Sequence, residues 1–538
     1  MGIPSYYKKL VQSVKGLIGR STAGPVDYLW FDYNCLIYYV LKSMPAYLPA
    51  DKEAWERTLI ERTCDYTKIV VKSVGNPRNV FLGVDGVVPL AKIKQQRLRR
   101  WKSIWTTEEE RRLGKIGSGV DVWDRNALTP GTHFMDKLNT ALTNLAAAEH
   151  WTMSGVYEPG EGEHKVMRRL RELDQDCPQD GPKDGPANHV IYGLDADLIL
   201  LTLYNARFLH EGSHVYLLRE DEKECQTNPL EGTIEYVYSY FNIIKLREAI
   251  LRSLKRTCTD ADDEPALVLL TDYIFAMTLL GNDFVPHGLA LSLKGNGYVQ
   301  LVRMLKQVDR PRLINDDLTW NREGLAYVYA HYAGLEEGLI HDEIENKRAS
   351  VRHKAVYGDD ANQPWARAYS YWMKKPARRM DENALLADDG RGFRADWQRI
   401  YYRVWFGGKT NRKPVCDAYN TGLEWVLRYY TGKAVDLFWY YPWNLPPLMS
   451  DLIASYSGWT YRESRAHAPL KPVEQCALAL PASSLHLCMD KRYHVLPRLI
   501  PSYFPRGCRF FYAGKHQLWE CEPIIPIITP ARLRALVK

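Results

Sequence analysis

The feature that most limits this chain is a set of short, continuously apolar runs that each reach an acid at their carboxyl end. "DYLWFDYN" reaches Asp32, "NVFLGVDG" reaches Asp85, and "NHVIYGLDADL" reaches Asp195 and Asp197. A run that is apolar at every position suits a strand buried on both faces, as in parallel sheet. Helical periodicities separate the runs. The expected fold is therefore α/β, with a mixed, mainly parallel sheet flanked by helices. Sheets of that kind bind ligands beyond the carboxyl ends of their strands, so these acids are expected to share one crevice.

Three more acids join them. "PGEGEHKVMRRLREL" puts Glu161 and Glu163 on either side of Gly162 at the start of a helical pattern. Asp283 follows an apolar helix expected from about Thr271, in "LLGNDFVPH". Each acid alone has an ordinary explanation. Acids at a helix start match the macrodipole, Asp197 suits a cap, and Asp283 suits an Asx turn. Seven in one crevice are different, because like charges that close raise one another's pKa unless a cation offsets them. Oxygen donors without a His–Cys set favour Mg²⁺, with Mn²⁺ possible, over zinc. Two such ions about 3.5–4 Å apart form the clamp used for phosphodiester hydrolysis. A glycine-loosened helix start would let Glu161 and Glu163 reach them from the side.

At 538 residues the chain exceeds one ordinary core. Its 46% hydrophobic and 25% charged residues are those of a globular protein, and no run of about 18 apolar residues suggests a membrane span. Ten cysteines without a CxxC pair, and no apolar signal segment, lead to the expectation of reduced thiols in an intracellular protein, cytoplasmic or nuclear and not secreted. The net charge of +7 names no partner, but "KIKQQRLRRWK" (Lys92–Lys102) carries six basic residues and no acid. Positions 92, 96, 99 and 100 of that run share one helical face. "CPQDGPKDGPANH" and "TDADDEP" read as surface loops. The expected division is an α/β core over 1–340, a charged connecting segment over 341–395, and a smaller aromatic-rich helical domain over 396–538 that packs on the core and closes its site.

These motifs identify a resemblance to the XRN family of 5′→3′ exoribonucleases, distant relatives of the flap nucleases. The first conserved region is matched by "MGIPSYYKKL", "LWFDYNCLIY", "FLGVDGVVPLAKIKQQRLRRW", "NALTPGTHFM", "EPGEGEHKVM", "YGLDADLILL" and "LLGNDFVPH", in family order. The second is matched by "WVLRYYTG", "WYYPWNLPPLMSDL", "LKPVEQCALALP" and "WECEPIIPI". The resemblance implies a PIN/flap-nuclease-like core in which Asp32, Asp85, Glu161, Glu163, Asp195, Asp197 and Asp283 are the catalytic metal ligands. It implies that Lys92, Gln96, Arg99 and Arg100 hold a 5′-monophosphate. Tyr38 stands where the family stacks a His on the terminal base. In "DLFWYYP", Trp439 matches the second family tryptophan while Leu437 replaces the first; Leu90 and Lys94 also depart from the pattern. The implied activity is processive 5′→3′ hydrolysis of single-stranded RNA bearing a 5′-monophosphate, by a two-metal-ion mechanism. The rivals are a flap-type or DNA-directed metal-dependent nuclease, and a non-catalytic RNA-binding protein that keeps the fold.

Overall fold

The computed structural model describes residues 6–537 apart from 118, 176–184, 194, 223, 228–233, 255–263, 308, 353–361, 391, 409–410 and 463–466. Most of the two expected surface loops, and the first five residues, lie outside the described residues.

The apolar runs form strands. β1 (Ile18–Gly19), β2 (Tyr28–Asp32), β3 (Asn79–Gly83), β4 (Thr152–Ser154), β5 (Asn188–Tyr192) and β6 (His214–Glu220) precede the small hairpin of β7 (Gln226–Thr227) and β8 (Ile234–Glu235), and then β9 (Tyr238–Asn242). The main sheet has seven strands in the order β1-β9-β6-β5-β2-β3-β4. The five from β6 to β4 are parallel, and β9 and β1 add an antiparallel edge. Tyr28 pairs with Asn79 on one side and His189 on the other, and Asp32 pairs with Gly83. The chain runs outward from β2 through β3 to β4 and then returns to place β5 on the other side of β2. The crevice at that reversal is where such sheets bind ligands.

Alternation along β2 divides the core. Leu29 and Phe31 pack with Leu36, Leu59, Val70 and Leu138 on one face. Trp30 turns to the other, with Val166, Leu170, Leu198 and Leu246. Helices Tyr33–Lys42, Lys52–Ser73 and His133–Ala148 cover the first face; Gly162–Gln175, Ala196–Asn205 and Ile243–Ser253 cover the second. The expected α/β sandwich is present. The apolar segment after Asp195 is the helix Ala196–Asn205. The helix before Asp283 begins earlier than expected, at Glu264, and runs into a 3-10 turn, Met277–Leu280.

Beyond residue 335 the chain is mainly helical, with aromatic clusters such as Trp397, Tyr401, Tyr402 and Phe406. Within the charged stretch, the Lys347 ammonium is fully buried on Glu382 at 2.7 Å and on the Tyr512 carbonyl at 2.9 Å. The aromatic-rich region contains the two-stranded β10 (Phe510–Phe511) and β11 (Glu522–Pro523), followed by the helix Pro530–Leu536.

The long helix Leu90–Arg112 joins the two parts. On its far side Lys94 donates to the Tyr441 carbonyl, Arg97 to those of Leu478, Tyr503 and Pro526, Trp101 to that of Pro505, and Lys102 to those of Trp519 and Cys521. Charge-assisted bonds to carbonyls are stronger than neutral ones, and buried carbonyls left unpaired are costly. Half of the basic run is thus a structural clamp. Among the described residues, no helix is long and apolar enough to cross a membrane.

The Glu336 carboxylate caps the helix Met449–Tyr456 by accepting from the Met449 amide at 2.7 Å. Burial pushes its pKa up to about 7. Between the ordinary carboxyl pKa of about 4.3 and that value, the folded carboxyl holds a proton that the unfolded one has lost. Its stabilising contribution is complete below about 4.3 and is lost as pH rises through about 7. Melting curves at pH 5 and pH 8 are expected to show a Glu336→Gln variant gaining on the wild type as pH rises.

Candidate active site

Each of the seven acids is delivered by the carboxyl edge of the sheet or by a turn packed over it. Asp32 ends β2 and is the N-cap position of the helix Tyr33–Lys42. Asp85 follows β3. Glu161 and Glu163 bracket the start of the helix Gly162–Gln175. Asp195 is the N-cap position of the helix Ala196–Asn205, and Asp197 lies in its first turn. Asp283 follows the 3-10 turn at Leu280. Asp32, Glu161, Glu163 and Asp197 are buried, Asp85 and Asp283 are partly so, and Asp195 opens to solvent.

The seven form one electrostatic cluster. Burial raises the Asp32 pKa well above the ordinary value, and Asp85, Asp195 and Glu161 add to it. Burial followed by Glu161, with lesser effects from Asp197 and Asp32, does the same for Glu163. Asp197 is pushed up to about 7 by burial and by Asp283. Burial also raises Asp85, although it accepts from the Gly162 amide at 2.7 Å and from Asn34 Nδ2 at 2.8 Å.

The Lys92 ammonium lies inside the cluster. Lys92 Nζ is 2.5 Å from Glu161 Oε2 and 2.8 Å from Asp283 Oδ2. Burial alone would discharge this ammonium; Asp283 and Glu161 outweigh it and hold the Lys92 pKa well above normal. Asp283 shows the reverse balance: burial opposes its ionisation, but Lys92 keeps its pKa low. Sequence reasoning assigned Lys92 to a phosphate, and the structure gives it two carboxylates as well. One turn along the same helix, Arg100 Nη1 donates to Gln96 Oε1 at 3.0 Å. Arg99 acts electrostatically on Asp283, and Tyr38 on Arg100. Burial lowers the Arg100 pKa to about 10, which leaves it charged at neutral pH. The Tyr38 ring is exposed beside this group, whereas Trp439 is half-buried and stacks on Trp425 with ring centroids 5.3 Å apart.

Gly162 has a steric reason. A Cβ there would lie 2.5 Å from the Gly83 carbonyl oxygen and 2.7 Å from Asp32 Oδ1. The sequence reading took this glycine as a loosened helix start. The structure instead shows the helix pressed against the ends of β2 and β3, which turns both glutamates inward.

Three neighbours escaped the sequence reading. Tyr429 donates to Glu161 Oε1 at 2.9 Å from a helix 268 residues away. Asn34, two residues past Asp32, braces Asp85. His164 stacks on Tyr429 at 4.0 Å, and its ring joins Glu161 and Glu163 in a set whose ligand atoms lie within 4.8 Å of one another. Burial lowers the His164 pKa to about 4, so its ring is neutral and able to ligate. Asn34 was findable from its place beside Asp32. Tyr429 had no local signal.

The donor set fits divalent cations. The Lys92 ammonium touches two of the seven carboxylates, and among the described residues Asp197 Oδ1 is buried without a hydrogen-bond partner. Oxygen-rich sites with one imidazole suit Mg²⁺ or Mn²⁺.

Comparison with known proteins agrees with this geometry. The family profile described as XRN 5'-3' exonuclease N-terminus matches residues 1–221, and the one described as Xrn1 helical domain matches 366–538. Human 5'-3' exoribonuclease 1 is 26% identical over 99% of this chain and 34% of its own length. The yeast (Saccharomyces cerevisiae) 5'-3' exoribonuclease 1 is 29% identical over 99% of this chain and 43% of its own, and the Arabidopsis thaliana 5'-3' exoribonuclease 2 is 25% identical over 99% and 66%. The chain therefore spans between about a third and two thirds of the length of these relatives. It belongs to the XRN 5'-3' exonuclease family.

Replacing Gly162 with Ala forces a methyl group against backbone and the Asp32 carboxylate. A loss of about 1–3 kcal/mol is expected, as for overpacked cores, together with a weaker rise in melting temperature on adding Mg²⁺. Urea midpoints and calorimetry with and without Mg²⁺ measure both.

Proposed function

We propose that this chain is a processive 5′→3′ exoribonuclease that degrades single-stranded RNA bearing a 5′-monophosphate to mononucleotides. The observation that carries the reading is the continuity between the phosphate-binding face of the helix Leu90–Arg112 and the acid cluster. Lys92 touches Glu161 and Asp283, while Gln96, Arg99 and Arg100 lie within about two turns of it on the same helix, each turn rising about 5.4 Å.

In this reading Arg99 and Arg100 bind the terminal phosphate, since guanidinium forks match its oxygens in pairs. The bond from Arg100 to Gln96 fixes one fork before substrate arrives. Arg100 is itself buried, so the pocket suits a chain end rather than a duplex or a bulky cap. Tyr38 offers an exposed ring for the terminal base, a contact that accepts any base. Trp439, turned onto Trp425, supplies a second face only through its exposed side. The acids Asp32, Asp85, Glu161, Glu163, Asp195, Asp197 and Asp283 would hold two Mg²⁺ or Mn²⁺ ions. When bound, such ions supply a nucleophile at neutral pH and charge stabilisation for the leaving oxygen. Tyr429 orients Glu161, so the helical region completes the site from outside the sheet. The shortened RNA ends in a new 5′-phosphate that re-enters the same pocket, which accounts for processivity.

The test uses one single-stranded RNA carrying a 5′-monophosphate, hydroxyl, triphosphate or cap, incubated with Mg²⁺ and either wild type or Asp197→Asn. Rapid mononucleotide release from the monophosphate RNA alone, absent in the variant, is the expected result. Internal fragments appearing first would point to a flap-type nuclease, and RNA binding without turnover to a binding protein. In the same assay Arg99→Ala is expected to reduce the preference for monophosphate over hydroxyl ends by about 10–100-fold, the worth of about 1.5–3 kcal/mol for a charged hydrogen bond. Tyr429→Phe should lower turnover while leaving that preference intact.

A further inference from the structure

Next to the acid cluster lies a cavity of about 340 Å³ lined in part by Asp283. Its size is at the small end of the about 300–1,000 Å³ range of small-molecule sites. Asp283 forms part of its wall, so the cavity is separated from the reacting centre by one side chain.

The polar groups facing this space are not all satisfied from within the protein. Gln95, on the helix Leu90–Arg112 but outside the phosphate-binding face, is 7% exposed, and among the described residues neither Nε2 nor Oε1 has a hydrogen-bond partner. Asn282 accepts from the Phe284 and Val285 amides through Oδ1, which fixes the orientation of its amide, and its buried Nδ2 has no partner among the described residues. Leaving such groups unpaired is costly, so a ligand that pairs them is favoured.

Two ammonium groups also face the cavity without an ion pair among the described residues. Lys515 Nζ lies 2.9 Å from His287 Nε2, whose other nitrogen is 3.1 Å from the Gly288 carbonyl oxygen. Burial and then Lys515 lower the His287 pKa to about 3, so the ring is neutral. Lys102 donates to two carbonyls; burial lowers its pKa, Glu522 works against that, and Lys515 adds to it. Lys294, by contrast, is paired with Glu520. At the rim the Trp519 ring is 53% exposed.

We propose that this cavity binds a nucleoside 5′-monophosphate, with the phosphate between Lys102 and Lys515 and the base edge on the Gln95 and Asn282 amides. An amide offers a donor and an acceptor side by side and exchanges them by a half-turn, so Gln95 can meet any of the four base edges. An anion between Lys102 and Lys515 relieves their repulsion, and Trp519 gives the base a stacking face. The inference rests on the reading that the chain releases mononucleotides, and it assigns the product a holding site next to the reacting acids.

Binding is measured by equilibrium dialysis of labelled AMP and UMP in a chelator, where no turnover occurs. The chain carries Arg99→Ala so that the terminal-phosphate pocket is disabled. Saturable binding of both nucleotides is expected, weakened at least tenfold by Lys515→Met or Gln95→Leu and retained by Lys515→Arg; unchanged melting temperatures in these variants show that they fold. Inorganic phosphate should bind at least tenfold more weakly than AMP. Three results overturn the proposal: no saturable binding, equal binding of phosphate and AMP, or binding indifferent to Lys515→Met. RNA hydrolysis is assayed separately, so a chain that binds AMP but leaves RNA intact refutes the activity and leaves the cavity standing.

Discussion

Everything at the carboxyl edge of the sheet depends on the ammonium of Lys92. Seven carboxylates in one crevice repel one another, and burial pushes most of them toward the neutral form. Lys92 reverses that for Asp283 and supplies the charge against which Glu161 is held. Among the described residues the carboxylates outnumber the ammonium they hold, and Asp197 Oδ1 has no hydrogen-bond partner, a balance that suits a divalent cation.

Lys92 can be held there because the helix that carries it is fixed from behind. Arg97 reaches three carbonyls from the last third of the chain, and Lys94, Trp101 and Lys102 reach four more. The Leu90 amide donates to the Leu437 carbonyl, and the Val88 amide to Gln475 Oε1, at the start of the same helix. The sheet provides the acids and the helical region positions the helix that neutralises them. Tyr429 completes the exchange by reaching back to Glu161. The two matched family segments are therefore joined by hydrogen bonds around one acid cluster.

The basic run shows how far local sequence carries. Its helical spacing separated positions 92, 96, 99 and 100 from the rest; in the structure Lys92 touches two of the acids, Arg99 and Arg100 act electrostatically with Asp283 and Asp85, and Gln96 bonds Arg100, while 94, 97, 101 and 102 serve the C-terminal region. Spacing did not reveal that Lys92 would be shared with Glu161 and Asp283, because that pairing needs the loop after Leu280 to return over the sheet. Gln95 is a clearer case. Its neighbours in sequence are busy on both sides, and only the packed structure shows its amide facing a cavity with no partner.

What the sequence determined by itself was the sheet and the acids at its edge. Buried parallel strands demand unbroken apolar runs, and the residues just past their ends must face the crevice, so both are written locally in "WFDYN", "LGVDG" and "GLDAD". The tertiary structure alone decided which charges meet. Glu161 and Glu163 turn inward because Gly162 leaves no room between β2, β3 and its own helix. His164 follows Glu163 on the same helix, but Lys92 and Tyr429 join them only because distant segments, in the case of Tyr429 268 residues away, close over the same edge. A Coulomb contact depends on distance in space, and no periodicity in one segment encodes its distance from another.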